Sequence, residues 1–259
     1  MHPPVVVAGI GLLGLVVGSF LTVVAHRVPA GESIVRPGSR CPACGTPIRA
    51  VDNLPVLSYL LRRGRCRACG ATIPARYLLI ELATGGLFAA VAARVPGTFA
   101  LAAFLVLAAA LVVLCVVDLE HMRLPTPIVL AAAGLGVPLL AAASAGDHAW
   151  DAAARAAIAA AVCGAAFLLL YLAVPRGIGF GDVRLAALCG GYLGWLGYRQ
   201  TAVGFLLALL AAGLVAILLL ALRRVRRGAR LPFGPFLGAG ALVAVLWGTE
   251  IARWWLGPR

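Results

Sequence analysis

"TFALAAFLVLAAALVVLCVVDLEHMRLPTP", residues Thr98 to Pro127, runs for twenty residues without a charge and then places Asp118, Glu120, His121 and Arg123 in quick succession. An uncharged apolar run of about 20 residues is the length an α-helix needs to cross the hydrocarbon core of a bilayer. The stretch therefore reads as a membrane span followed by a short polar loop. Runs of the same kind recur at about 5–25, 77–93, 125–146, 153–174, 183–198, 201–222 and 233–252. Composition points the same way. The chain is 63% hydrophobic and 12% charged, where a soluble domain carries about 25% charged residues. The expected fold class is an all-α polytopic membrane protein of about eight transmembrane helices, with a small loop domain between helices 1 and 2. The division expected is 1–25 (first span), 26–76 (loop domain) and 77–259 (seven-helix core), with no internal duplication. The first run lacks a basic flank ahead of it and is long enough to span, so it reads as a helix rather than a cleavable signal.

Arginine sets the orientation. The net charge is +13 and no lysine occurs. Nine arginines fall in 26–76, and Arg223, Arg224, Arg226, Arg227 and Arg230 form a second cluster. With the first loop cytoplasmic and eight alternating spans, Arg123, Arg176, Arg184 and the second cluster share that side. The split is then 17 arginines inside to 5 outside, as the positive-inside tendency favours. Both termini are expected outside.

The same parity places two acids at one membrane boundary. Asp118 leaves the third span, and Asp182, in "PRGIGFGDVRL" (175–185), opens the sixth. Ionisable groups at membrane depth are costly and face a cavity or a partner. Two carboxylates held close share a proton, and such a pair can activate water while donating to a carbonyl oxygen, which is the chemistry of an aspartic peptidase. Gly177, Gly179 and Gly181 are expected to allow positive φ and close approach of a substrate backbone. Leu124-Pro125 is expected to fix the chain's re-entry into the next helix. Taken singly, each acid has a plainer reading, with Asp182 as a helix N-cap and Asp118 as a solvated helix end. Other hydrolase classes lack their residues: no HExxH occurs, and no histidine pair stands at i, i+4.

Cys41, Cys44, Cys66 and Cys69 form CxxC, 21 residues, CxxC. Four thiolates at that spacing suit tetrahedral zinc in a structural role, and a reducing compartment argues against disulfides. A basic loop with such cysteines also fits a nucleic-acid ribbon. The intervening "NLPVLSYLL" is apolar, however, and topology already accounts for the arginines, so no nucleic-acid partner is expected. Cys115, Cys163 and Cys189 stand alone in apolar runs and read as small packing residues.

Taken in order, "GSFLTVVAHRVP", the cysteine loop through "NLPVLSYL" and "ARYLLIEL", "DLEHMRLP", "GFGD" and "LPFGPFLGAGAL" resemble the type IV prepilin peptidases, membrane aspartic proteases of the GxGD kind. The resemblance maps their catalytic aspartates onto Asp118 and Asp182. It implies an inner-membrane endopeptidase that removes basic leaders from prepilins or pseudopilins at the cytoplasmic face. It also implies N-methylation of the new N-terminus with S-adenosylmethionine, a step in which Glu81 either assists or instead pairs with an arginine such as Arg76. Two positions depart from the family: Thr22 stands where Asn is usual, and Thr126 where Asp or Asn is usual. The rival reading is a transporter or an assembly scaffold for pilus or secretion machinery, with a zinc-stapled loop and the two acids as an ion relay.

Overall fold

The computed structural model describes residues 2–174, 177–224 and 231–257. Arg176, Arg226, Arg227, Arg230 and Arg259 of the topology count lie outside the described residues. In chain order the helices are α1 (Pro4–Arg27), α2 (Leu57–Leu61), α3 (Arg76–Arg94), α4 (Thr98–His121), α5 (Thr126–Gly146), α6 (Trp150–Ala173), α7 (Phe180–Leu196), α8 (Tyr198–Ala221) and α9 (Gly234–Leu256), with one 3-10 turn at Ala50–Asn53. Among the described residues there is no strand, only isolated bridges between Arg40 and Pro47 and between Arg65 and Thr72.

The eight expected spans correspond to α1 and α3 through α9. Seven of these are long and apolar enough to cross a membrane, and α7 falls outside the set with 17 residues. At 1.5 Å per residue it is about 25 Å long, short of a ~30 Å hydrocarbon core. The chain is a multi-pass membrane protein.

Two compact units divide at Ala93 and Arg94. In the first, α1 lies against α3 at backbone range: a Cβ at Gly18 would sit 2.8 Å from the Glu81 Cα. That approach is a packing device of membrane helices, where van der Waals contact replaces the hydrophobic effect. The connecting loop is not structureless, since the 3-10 turn and α2 interrupt it. Asp52 in that turn takes Arg62 as an ion-pair partner, with Arg67 Nη1 3.7 Å from its other oxygen.

In the second unit α4 forms the centre. Leu107, Leu111, Leu114 and Val117 on it are fully buried, with α5 and α9 packed alongside. α7 is enclosed among α5, α6, α8 and α9, with Leu185, Cys189 and Leu193 showing no exposed surface. The Phe104 and Tyr192 rings meet edge to face at 5.6 Å, and the Tyr192 hydroxyl donates to the Ala132 carbonyl at 3.0 Å. Trp195 Nε1–H donates to Ser144 Oγ at 2.9 Å. These two side chains therefore find partners on a neighbouring helix, as a solvent that cannot hydrogen-bond requires.

Two helix boundaries differ from expectation in ways that matter for the acids. α4 continues one turn past Asp118 and ends only at Met122, whose φ of 49° lets its N–H return to the Asp118 carbonyl at 2.8 Å. Asp118 is thus a buried last-turn residue, not a solvated helix end. α7 starts at Phe180, three residues before the expected 183, because Gly179 takes the N-cap position.

Candidate active site

Asp182 occupies the third position of α7, not the N-cap. Its Oδ2 accepts the Gly179 N–H at 2.8 Å, and its own N–H donates to the Gly179 carbonyl at 3.0 Å. This reciprocal pair closes the helix start in the manner of a capping box, and it holds the carboxylate on the first turn. The side chain is 8% exposed.

Asp118 is 5% exposed. Its Oδ2 accepts the N–H of Gly234, the first residue of α9, at 2.9 Å. Helix N-termini offer such unpaired donors and a partial positive charge to an anion. Each acid is therefore engaged by the N–H of a different helix start.

Leu124 packs against both helix starts. A Cβ at Gly181 would fall 2.8 Å from Leu124 Cβ, and a Cβ at Gly234 would fall 3.1 Å from Leu124 Cδ2 and 2.7 Å from Asp118 Oδ2. The glycine at 181 is needed for this contact and not for its backbone angles. None of Gly177, Gly179 and Gly181 has positive φ, which corrects the expectation of a left-handed hinge. Gly179 is extended at φ −88°, and Gly181 is already helical. Gly234 and Leu124 were not singled out from sequence as partners of the acids. "LPFGPF" marked the start of the last helix, but no local pattern ties a glycine to an aspartate 116 residues away.

Beside this centre, Arg184 of α7 donates through Nη1 to the Thr126 hydroxyl at the start of α5. Its guanidinium lies 4.8 Å from the centre of the Phe180 ring.

In the first unit, the Sγ atoms of Cys41, Cys44, Cys66 and Cys69 all lie within 4.8 Å of one another, with Cys41 and Cys69 at 3.9 Å. A tetrahedron of thiolates at the Zn–S length of about 2.3 Å has edges of about 3.8 Å, so the set fits zinc. Each CxxC sits on the same turn. Cys41 N–H donates to the Thr46 carbonyl and Gly45 N–H to the Cys41 carbonyl, while Cys66 pairs likewise with Ala71 and Gly70. Gly45 and Gly70 share a φ of 71°. The loop thus contains a short structural repeat at an offset of 25 residues, where no duplication was expected.

The thiol chemistry agrees with a metal site. The Thr46 hydroxyl and backbone N–H pull the Cys44 thiol down to about 6. Backbone N–H groups of Cys69 and Ala68 lower Cys66. The Ala71 N–H favours the thiolate of Cys69, yet crowding by Cys44, Cys66 and Cys41 leaves that thiol raised to about 11. Thiols so crowded cannot all ionise without a cation among them, and metal binding releases the remaining protons.

Glu81 belongs to this unit as well. It is buried in α3, and its Oε2 accepts the Val56 N–H at 2.7 Å. Val56 has φ 61° and ψ −52°, the γ-turn of the rarer and more strained hand. Arg76 has its guanidinium 5.5 Å from the centre of the Tyr77 ring.

Residues 12–95 match the family described as Bacterial Peptidase A24 N-terminal domain, and residues 105–221, which include both aspartates, match the Type IV leader peptidase family. Among similar proteins, the Prepilin leader peptidase/N-methyltransferase of Pseudomonas aeruginosa is 34% identical, over 98% of this chain and 95% of its own. The proteins of the same name from Burkholderia pseudomallei and Aeromonas hydrophila are 40% and 37% identical, covering 92% and 95% of this chain and 84% and 92% of theirs. No solved structure matches this chain.

Proposed function

The chain belongs to the type IV leader peptidase family, and from that premise we propose that Asp118 and Asp182 are its catalytic pair. The protein is a membrane aspartic endopeptidase that cleaves the basic leader from type IV prepilins or pseudopilins. It then N-methylates the new N-terminal residue. The observation that carries the catalytic assignment is the burial of two carboxylates from separate helices around Leu124, each engaged by the backbone N–H of a helix start.

In this reading one carboxylate is ionised and the other protonated. The ionised one takes a proton from water as its oxygen attacks the scissile carbonyl. The protonated one donates to the carbonyl oxygen, and collapse of the tetrahedral species returns that proton to it and expels the amine, which takes the proton the other carboxylate gained from water. The leader keeps the new carboxyl end, and the mature pilin keeps a free amine. Burial contributes by excluding competing water and by holding the acids in place before substrate arrives. Cleavage occurs at the cytoplasmic face of the inner membrane with both termini outside, an orientation supported by the arginine distribution. The bilayer and the prepilin or pseudopilin are the partners, with no nucleic acid among them.

Zinc held by Cys41, Cys44, Cys66 and Cys69 staples a loop too small for its own core. S-adenosylmethionine is the proposed methyl donor, supplying an electrophilic methyl group to the amine that cleavage frees. Glu81 has one carboxylate oxygen committed to Val56, so its assigned part is to hold the loop. The test is cleavage of a purified prepilin by the full chain and by its Asp118→Asn and Asp182→Asn variants, with products identified by mass. Both variants are expected to lose cleavage, and activity surviving in either one removes the assignment.

A further inference from the structure

The residues around the two acids form more than a pair of hydrogen bonds. Leu124 fills the space between Gly181, next to Asp182, and Gly234, whose N–H engages Asp118. Pro125 and Thr126 follow it directly and start α5. The segment Leu124–Thr126 is therefore the spacer against which the start of α7 rests. Contact alone would let α7 move away, since Leu124 resists approach but not separation.

Arg184 supplies the opposing pull. It stands four residues after Phe180, one turn along the same helix, and its guanidinium lies 4.8 Å from that ring's centre. The Phe180 ring in turn meets Tyr171 of α6 at 5.8 Å. From this supported position Nη1 reaches across to the Thr126 hydroxyl. A continuous series of contacts thus runs from α6 through the first turn of α7 to the first turn of α5. Among the described residues Arg184 Nε is buried with no hydrogen-bond partner. A buried N–H left unpaired is unfavourable, so the side chain is held by the reach to Thr126 and the stacking, not by saturation of its own donors.

We propose that Arg184 is a positioning residue for cleavage: by tying the start of α7 to Thr126, it sets how far Asp182 stands from Asp118. It does not touch the reacting atoms. The inference rests on the aspartic-pair reading and adds the element that holds the pair at its working separation. It also gives meaning to the departure at position 126, since the threonine hydroxyl is a neutral acceptor where an acid or amide is usual in the family.

The separation of two coupled carboxylates has a readable signature. Their mutual repulsion splits the two macroscopic proton losses, and the singly protonated form exists between them. Loosening the tie weakens the coupling, so the acid and alkaline limbs of the pH–kcat profile move toward each other and the maximum falls. The other ionisable groups at this end of the unit are Cys115, Glu120, His121 and Arg123 on α4 and the loop after it, Tyr171 on α6, and Arg223 and Arg224 beyond α8. Among the described residues, α5 and α9 bring no ionisable group to that end. Substitution at Thr126 leaves all of these in place.

The experiment measures kcat and KM for a purified prepilin across pH, using the full chain and its Thr126→Val, Thr126→Ser and Arg184→Lys variants, with thermal melts alongside. Thr126→Val keeps the shape and removes the acceptor. It is expected to lower kcat roughly tenfold or more, to leave KM within about twofold, and to narrow the profile. Thr126→Ser, which restores a hydroxyl, is expected to recover the width. Arg184→Lys keeps the charge but loses the planar stack and fork, and is expected to behave like Thr126→Val, so it carries the test if the valine variant fails to fold. A melt lowered with the profile width unchanged would overturn the proposal by reducing the tie to a structural contact. So would a rise in KM at constant kcat, which would make Arg184 a substrate-binding group. If Asp118→Asn and Asp182→Asn still cleave, the aspartic reading itself fails. If they are inactive and Thr126→Val keeps its width, only the tie fails.

Discussion

Gly234→Ala probes the reasoning most directly, because it alters neither acid. The added methyl would fall 2.7 Å from Asp118 Oδ2 and 3.1 Å from Leu124 Cδ2. Side-chain carbons essentially never approach a heavy atom within 3.0 Å, so either the Asp118 carboxylate or the start of α9 must move. Movement of a few tenths of an ångström stretches the 2.9 Å bond from the Gly234 N–H. Hydrogen bonds to charged groups contribute about 1.5–3 kcal/mol, and each ~1.4 kcal/mol of barrier is tenfold in rate. The expected loss in kcat is therefore about ten- to a hundredfold. Stability should fall as well, by up to about the 1.5–3 kcal/mol of that bond, since it is made in the folded state. The assay is cleavage of prepilin by the purified variant, normalised to folded protein by its thermal melt. Gly213→Ala serves as the control, because a Cβ there meets nothing within 4 Å; its kcat should stay within about twofold. A folded Gly234→Ala enzyme with normal kcat would refute the claim that this N–H holds Asp118.

Three further outcomes are expected. Gly181→Ala places a methyl 2.8 Å from Leu124 Cβ and should reduce kcat by pushing the start of α7 off its spacer, without restoring by any change in pH; a wild-type rate would dismiss the spacer. Cys44→Ser, or a strong chelator applied to the wild type, should take zinc from about one per chain to near zero and expose the arginines of 26–76 to trypsin; metal content unchanged on atomic absorption would sink the four-thiol site. Glu81→Leu leaves the Val56 N–H without its acceptor, a loss of about 1–3 kcal/mol, and should speed tryptic cleavage after Arg62 and Arg63; an unaltered digestion time course would count against Glu81 as the loop's anchor.

How legible the protein is from its sequence depends on how far apart the cooperating residues lie. The spans were readable because the bilayer acts on each apolar run separately, and an uncharged stretch such as 98–117 has only one stable use there. α7 was readable but short, since glycines and an acid dilute its apolar signal. The cysteine set was readable as well, because each half lies within one tight turn. The repeat of that turn at a 25-residue offset was missed, since three of its positions, Pro42 against Arg67, Thr46 against Ala71 and Pro47 against Thr72, differ in character. Asp182 was singled out, but its place in the helix was misjudged: aspartate outranks glycine as an N-cap, and glycine is a weak helix former, so a helix that starts at Gly179 and runs through Gly181 is not the first choice of propensity.

Sequence by itself determined the solvent, the helices, the four cysteines that cluster and the two acids proposed as the pair, because length, hydropathy and short spacings act locally. Tertiary packing alone decided that Asp118 meets the start of α9, that Leu124 packs against Gly181 and Gly234, and that Arg184 reaches Thr126 58 residues earlier. Those pairings arise from helices brought side by side, and a backbone N–H at a helix start carries no mark in the sequence of which carboxylate will come to it.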